Sequence, residues 1–276
     1  MSSDCTHECS ACSENCSERT AESFLKSPRE GAHIGKVIAV ISGKGGVGKS
    51  LVTGLMAAEL QRKGHRAAVM DADVTGPSIP QMFGVHEKAE GGEGYILPVR
   101  SKSGVQLMSM NSLLPNETDP VIWRGPIIAN IVEQFWTTVA WQDVDYMFVD
   151  MPPGTGDVPL TVFQSLPISG VLVVTSPQEL VGIIVEKAVH MAAMMNKKVL
   201  GIVENMAYFT CPDCGAQHSV FGESRVAEAA EKFGIPNVAR LPLDPALAKA
   251  CDEGRIEEVR AEGITALADY IERGAY

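Results

Sequence analysis

No run of about 18 apolar residues occurs anywhere in the 276-residue chain, so no segment has the length and hydrophobicity of a bilayer-spanning helix. There is no block of lysine and arginine either: 23 basic residues face 34 acidic ones, a formal net charge of −11. Proteins that wrap DNA or sit on acidic membranes gain affinity by neutralising phosphates, which requires the opposite sign. We therefore expect neither nucleic acid nor a membrane as partner. The stretch 261–276 also lacks the basic amphipathic face used for membrane positioning, since Glu262, Asp269 and Glu272 stand against Arg273 alone. The first residues carry no apolar signal-peptide core, and a cytoplasmic location is expected. Large apolar side chains are nearly missing from residues 1–30, where only Phe24 and Leu25 follow Met1. Such a segment cannot fold on a core of its own; it reads as a cysteine-rich tail that is either flexible or ordered by a metal.

What remains is rich in core-forming residues. Hydrophobic side chains make up 45% of the chain, enough for one sizeable domain over 31–276. Apolar, β-branched runs predict strands at 37–42, 66–71, 105–110, 146–150, 170–175, 198–203 and 238–241. Helical patterns lie between and after them, at 49–63, 126–138, 180–196, 224–233, 245–253 and 264–273. Near-continuous apolar strands alternating with helices indicate an α/β fold, a doubly wound and mostly parallel sheet covered on both faces. There is no internal repeat.

The string GKGGVGKS, Gly43 to Ser50, follows a predicted strand and opens a predicted helix. That is the context in which a P-loop works: glycines let backbone N–H groups close around phosphate oxygens, and the helix N-terminus adds its dipole. The candidate nucleotide contacts are Gly43, Lys44, Gly45, Gly46, Val47, Gly48, Lys49, Ser50 and Leu51. Lys49 is placed to reach the β- and γ-phosphates of ATP and Ser50 to ligate Mg²⁺. Two acidic motifs accompany the loop: Asp71-Ala72-Asp73 after the second strand, and Asp150 followed by Pro152-Pro153-Gly154-Thr155-Gly156-Asp157. Working residues of open α/β sheets gather at the carboxyl ends of strands, where all three aspartates fall. Asp71 and Asp150 are candidates for the Mg²⁺ surroundings, and one acidic group of such a site can orient the attacking water. These features predict a slow, Mg-dependent ATPase.

Lys44 is a second lysine that an ordinary Walker loop does not need. With it, GKGGVGKS resembles the deviant Walker A motif of the SIMIBI nucleotidases, in which the early lysine crosses to the ATP of the other subunit. The resemblance implies a homodimer sandwiching two nucleotides. It also makes Asp71-Ala72-Asp73 similar to switch I, which implies that Asp73 positions the attacking water, and the Asp150 segment similar to switch II.

The seven cysteines fall as Cys5, Cys9, Cys12 and Cys16, then Cys211 and Cys214, then Cys251 alone. An odd count beside a nucleotide motif argues for a reducing compartment and for metal chemistry. Cys211-Pro212-Asp213-Cys214-Gly215, after a strand expected to end near Asn205-Met206, can offer two thiolates to one metal. Zinc and iron–sulfur clusters usually take four ligands, so the pair is half a site. A second subunit would complete it. A zinc knuckle, with or without His218 as third ligand, is the other reading of the same spacing. The tail cysteines admit a second [4Fe–4S] cluster, zinc, or no metal. Cys251 sits in a helical pattern as a core residue.

Taken together, the chain from about Lys36 to Tyr276 resembles the Mrp/ApbC family of iron–sulfur cluster carrier ATPases. The matching stretches are GKGGVGKS, Asp71 to Pro80, Trp123-Arg124-Gly125-Pro126, Asp150 to Asp157, and Glu204-Asn205-Met206 before the cysteine pair. The resemblance implies a [4Fe–4S] cluster assembled between two subunits on Cys211 and Cys214 and passed to apo-proteins, with a cluster or sulfide donor as a further partner. It also implies that Asn205 reads adenine and that Pro242-Leu243-Asp244 makes a second base contact. The four-cysteine tail departs from the pattern, since many bacterial members lack it. Two other functions stay open: an ATP-dependent positioning switch with structural zinc, and an ATP-driven electron donor. The nitrogenase iron protein, the model for the latter, holds its cluster on two widely separated cysteines per chain, which are absent here.

Overall fold

A computed structural model describes residues 24–74, 76, 78–116, 125–154, 156–177 and 181–274. Cys5, Cys9, Cys12 and Cys16 lie outside the described residues, as do Thr75, Pro77, Trp123, Arg124, Thr155 and the side chains of Pro126 and Asp157.

In chain order the elements are β1 (Ile34–Ser42), α1 (Lys49–Arg62), β2 (Ala67–Asp71), α2 (Ile79–Met82), β3 (Gly91–Gly92), β4 (Tyr95–Ile96), β5 (Val99–Arg100), β6 (Gln106–Met108), α3 (Gly125–Thr137), β7 (Val144–Asp150), α4 (Asp157–Ser165), β8 (Ile168–Thr175), α5 (Val181–Met194), β9 (Val199–Thr210), β10 (Gln217–His218), α6 (Val226–Lys232), β11 (Val238–Pro242), α7 (Pro245–Asp252) and α8 (Glu262–Arg273). The main sheet runs β10-β9-β8-β1-β7-β2-β6-β5, with β11 also pairing β9. The pairs β8–β1, β1–β7, β7–β2, β2–β6, β8–β9 and β9–β11 are parallel; among the described residues only β5 and β10 join this sheet antiparallel. This is the expected mostly parallel, doubly wound sheet.

The alternation of side chains along β1 divides the core. Val37, Ala39 and Ile41 face a cluster with Phe135, Trp136 and Trp141, under α3 to α6. Ile38 and Val40 face the other way, into Leu55, Met56, Leu60, Leu267 and Ile271 of α1 and α8. Helix α1 is buried on nearly every side from Val52 to Leu60, which explains its apolar character all round. Gly64, at φ +94°, ends it in the left-handed conformation that glycine adopts without strain.

The structure departs from the sequence expectation at several elements, the short α2 and β10 among them. Helix α4 was not anticipated: it is short and opens beside the glycine-rich segment, and Pro159 sits in its first turn, where a missing N–H costs nothing. Strand β5 and the β3–β4 hairpin are two-residue pairs, too brief for any periodicity. Most consequential is β9, which does not stop near Asn205-Met206 but continues to Thr210. Met206 takes a left-handed φ of 57°, and pairing with β11 shifts register there, from Arg240 opposite Glu204 to Pro242 opposite Tyr208. A bulge inserts residues without changing the hydrophobic pattern, so the run reads as ended where it only bends.

Candidate functional site

Strand β1 lies between β7 and β8, and its carboxyl end opens into the glycine loop. Gly46 and Gly48 both have positive φ, +79° and +85°, conformations that a residue with a β-carbon rarely adopts. Gly48 is constrained a second way: a β-carbon there would collide with the amide of Asn205. Gly43 is packed against Ile184 of α5. The loop is tied to the Asp150 segment by Met151 N–H donating to the Val40 carbonyl at 3.2 Å and Gly154 N–H to the Ser42 carbonyl at 3.1 Å.

Asp150, fully buried at the end of β7, is the centre of the polar network. Its Oδ1 accepts from Lys49 Nζ at 2.8 Å and from Thr53 Oγ1 at 2.8 Å; its Oδ2 accepts from Ser50 Oγ at 2.6 Å. Lys49 is itself only 6% exposed, and also stands 3.9 Å from Asp73. Parallel pairing puts Asp71 directly across from Asp150. Asp71 is buried as well, accepting from Ser109 Oγ at 3.0 Å and from the Asp73 N–H at 3.1 Å. Burial pushes Asp71 well above the usual carboxylate range, and the nearby Asp150 pushes the same way against Lys49 and Ser109. Asp73 is half-buried and Lys44 exposed.

The described residues thus bring Lys49, Ser50, Asp71, Asp73 and Asp150 together at one sheet edge. Hydroxyl and carboxylate oxygens on a hard-donor framework suit Mg²⁺. Thr53 and Ser109 were missed from the sequence. Thr53 stands one helical turn after Lys49 on α1, a spacing that marks the shared face; Ser109 follows a three-residue strand whose neighbour no local pattern reveals.

Asn205 reaches the same loop from β9, its Nδ2 donating to the Val47 carbonyl at 3.0 Å. Pro242 ends β11, and Leu243 N–H donates to the Tyr208 carbonyl at 2.7 Å. Asp244 caps α7, accepting from the Ala246 N–H at 2.8 Å.

Beyond Asn205, β9 and β10 form an antiparallel hairpin whose connection carries the cysteine pair. Cys211 N–H donates to the Ala216 carbonyl, Gly215 N–H to the Cys211 carbonyl, each at 2.9 Å, and Gly215 supplies a φ of +73°. Cys211 is half-buried and Cys214 exposed. The backbone N–H groups of Cys214 and Asp213 aim at the Cys211 sulfur and hold its pKa below the ordinary thiol value. Cys251 is the opposite case, half-buried on α7 with burial raising its pKa. Among the described residues no group of three or more His, Cys, Asp or Glu side chains is placed to hold a metal ion, and His218 is exposed on β10. Nor is any helix among them long and apolar enough to cross a membrane.

Residues 33–272 match the family described as ParA, NUBPL iron-transfer P-loop NTPase. An iron-sulfur cluster carrier protein from Clostridium perfringens is 45% identical over 238 residues, covering 83% of this chain and 84% of its own. Another of that name from Methanocaldococcus jannaschii is 40% identical over 258 residues, 91% of this chain and 89% of its own. A nucleotide-binding protein from Archaeoglobus fulgidus, solved in complex with ADP and with cobalt found by PIXE, superposes with a TM-score of 0.76 at 43% identity, covering 83% of this chain and 90% of that one. The cell division ATPase MinD of Pyrococcus furiosus shares the fold, with a TM-score of 0.61 at 19% identity over 88% of this chain and all of its own.

Proposed function

This chain belongs to the NUBPL iron-transfer P-loop NTPases of the ParA group, and from that premise we propose that it is a cytoplasmic, ATP-hydrolysing iron–sulfur cluster carrier. Its cargo is a [4Fe–4S] cluster held between two copies of the chain on Cys211 and Cys214 of each, then delivered to apo-proteins after loading from a cluster or sulfide donor. The observation that carries this reading is the cysteine hairpin itself. Two accessible thiols, one with a lowered pKa, spring from the strand whose Asn205 touches the P-loop. Two thiolates are half of a four-ligand set, and a two-fold axis supplies the other half from the same surface.

At the nucleotide end, the phosphate tail of ATP would lie over the N–H groups of Gly43 to Ser50. Phosphate oxygens compete with Asp150 for the Lys49 ammonium, now 2.8 Å from that carboxylate. Lys44, on the exposed rim of the loop, would reach a nucleotide on the facing subunit. Asn205 would read the base, with Pro242 and Asp244 as the second base-contacting segment. Ser50, Asp71 and Asp150 would hold Mg²⁺, which when bound supplies charge neutralisation between the phosphates. Asp73, beside Lys49, orients water for attack on the γ-phosphate. On the tail, Cys5, Cys9, Cys12 and Cys16 offer a second cluster site or a zinc site.

The test is transfer. Protein reconstituted anaerobically with iron and sulfide is mixed with apo-aconitase, and recovered aconitase activity is followed. Wild-type protein restores activity, Cys211→Ser/Cys214→Ser does not, and Lys49→Ala alters the rate or yield. Equal transfer by the cysteine variant would remove the pair from the function; equal transfer by Lys49→Ala would separate cargo handling from nucleotide.

A further inference from the structure

Glu204 belongs neither to the phosphate site nor to the cysteine hairpin, yet its carboxylate is fully buried. It lies on β9 next to Asn205. Its Oε1 accepts from Ser224 Oγ at 2.7 Å and its Oε2 from Arg240 Nε at 3.2 Å. Arg240, on β11, also donates to the Ala207 carbonyl at 3.5 Å and stands over the Tyr208 ring at 5.7 Å. Ser224 sits in the segment between β10 and α6, flanked by Glu223 and Arg225, which line a cleft of about 650 Å³ between α5 and α6. A buried carboxylate is stable only where fixed partners replace its water. Here those partners belong to β11 and to the chain leaving the cysteine hairpin.

The bulge at Met206 is what this arrangement brackets. Before it, Asn205 is joined to the P-loop through the Val47 carbonyl; after it, the same strand runs through Tyr208 to Thr210 and Cys211. A bulge is a natural place for a strand to flex. Glu204 and Arg240 hold both of its flanks, one through the Arg240 guanidinium and the other through the Ala207 carbonyl. With both flanks held, a displacement of Asn205 would pass along β9 instead of being absorbed at Met206.

We infer that Glu204 is a positioning residue which, with Arg240 and Ser224, conveys nucleotide occupancy of the P-loop to the Cys211–Cys214 pair of the same chain. This rests on the reading of Asn205 as a base contact and of the cysteines as the cargo site. Coupling of this kind is reciprocal, so metal on the pair would alter nucleotide affinity by the same factor.

The experiment is site-resolved maleimide labelling of the reduced, metal-free full chain, with and without Mg-AMP-PNP, read by mass spectrometry. It is run where light scattering gives the same mass in both conditions, so that shielding by a second copy does not enter. In wild type the nucleotide changes the labelling rate of Cys211 about fivefold or more, the lower end of ordinary allosteric coupling, and leaves Cys251 unchanged. Glu204→Gln and Ser224→Ala each bring that ratio toward one while directly measured AMP-PNP binding persists. A merely structural role would alter the rates equally with and without nucleotide. Should Glu204→Gln fail to fold, Arg240→Lys, which keeps a cation near Glu204 but gives up the guanidinium link to the Ala207 carbonyl, decides. No nucleotide response in wild type, or a response that survives in the folded variants, overturns the inference. A response present and variant-sensitive in a protein that never binds iron at the pair would instead overturn the cargo reading and leave this path standing.

Discussion

The phosphate edge and the cysteine hairpin lie on the same strand and are built on opposite terms. At the phosphate edge the functional groups are buried and mutually satisfied: Asp150 alone receives Lys49, Ser50 and Thr53. At the hairpin the backbone is fixed by two hydrogen bonds and a glycine, but the thiols face outward and find no third ligand among the described residues. The polar network around Asp150 closes within a single chain, whereas the two thiols, on the proposed reading, take their remaining ligands from a second copy. Packing inside the fold holds the first set of groups in place, and a short surface turn holds the second.

The largest effect that sharpens this contrast is at Lys49. Lys49→Ala leaves Asp150 buried without its cation and removes the phosphate contact. Nucleotide turnover should fall by about two to three orders of magnitude, the usual loss for a group that stabilises developing charge, as measured by phosphate release. Iron bound by the cysteine pair after reconstitution should remain. Loss of both together would mean the two sites are not separately built.

Gly48→Ala comes next, because it strains a φ of +85° and drives a methyl group into the Asn205 amide. We expect about 1–3 kcal/mol of destabilisation by urea unfolding, together with weaker nucleotide binding. A variant as stable as wild type would show that the loop and β9 are less tightly joined than the geometry indicates.

These two residues also show what was legible in advance. Glycine spacing, the paired acidic motifs and the cysteine pair are local signals, and the first two meet at one sheet edge because strands of a parallel sheet deliver their carboxyl ends together. Thr53, Ser109 and Glu204 were not legible, since what matters about them is a partner from 38 to 97 residues away in the first two cases and a strand bulge in the third. The continuation of β9 past Met206 was missed for the same reason. A left-handed methionine leaves no mark on hydrophobic periodicity, yet beyond it β9 runs on to Thr210 and pairs with β10, so the cysteines sit in the turn of a hairpin.

A smaller effect separates the cysteines by pH. The lowered pKa of Cys211 means that its thiolate persists to lower pH than that of Cys251, whose pKa burial raises. In metal-free protein the iodoacetamide rate at Cys211 should therefore reach half its maximum at lower pH than the rate at Cys251. Coincident profiles would show that the hairpin N–H groups do not act on the sulfur.

The smallest expected effect is on stability at the hairpin. Cys211→Ser/Cys214→Ser in metal-free protein should shift unfolding by no more than about 0.5 kcal/mol, as for other exposed substitutions. A larger loss would make the pair part of the fold and erase the contrast with the phosphate edge.

The most direct measurement is iron, acid-labile sulfide and zinc per chain on anaerobically reconstituted protein, with and without Cys211→Ser/Cys214→Ser. A shared [4Fe–4S] cluster predicts that the double substitution removes about two iron and two sulfide per chain, whatever the tail cysteines retain. Iron and sulfide unchanged by the substitution, or zinc on the pair that reconstitution does not replace, would contradict it.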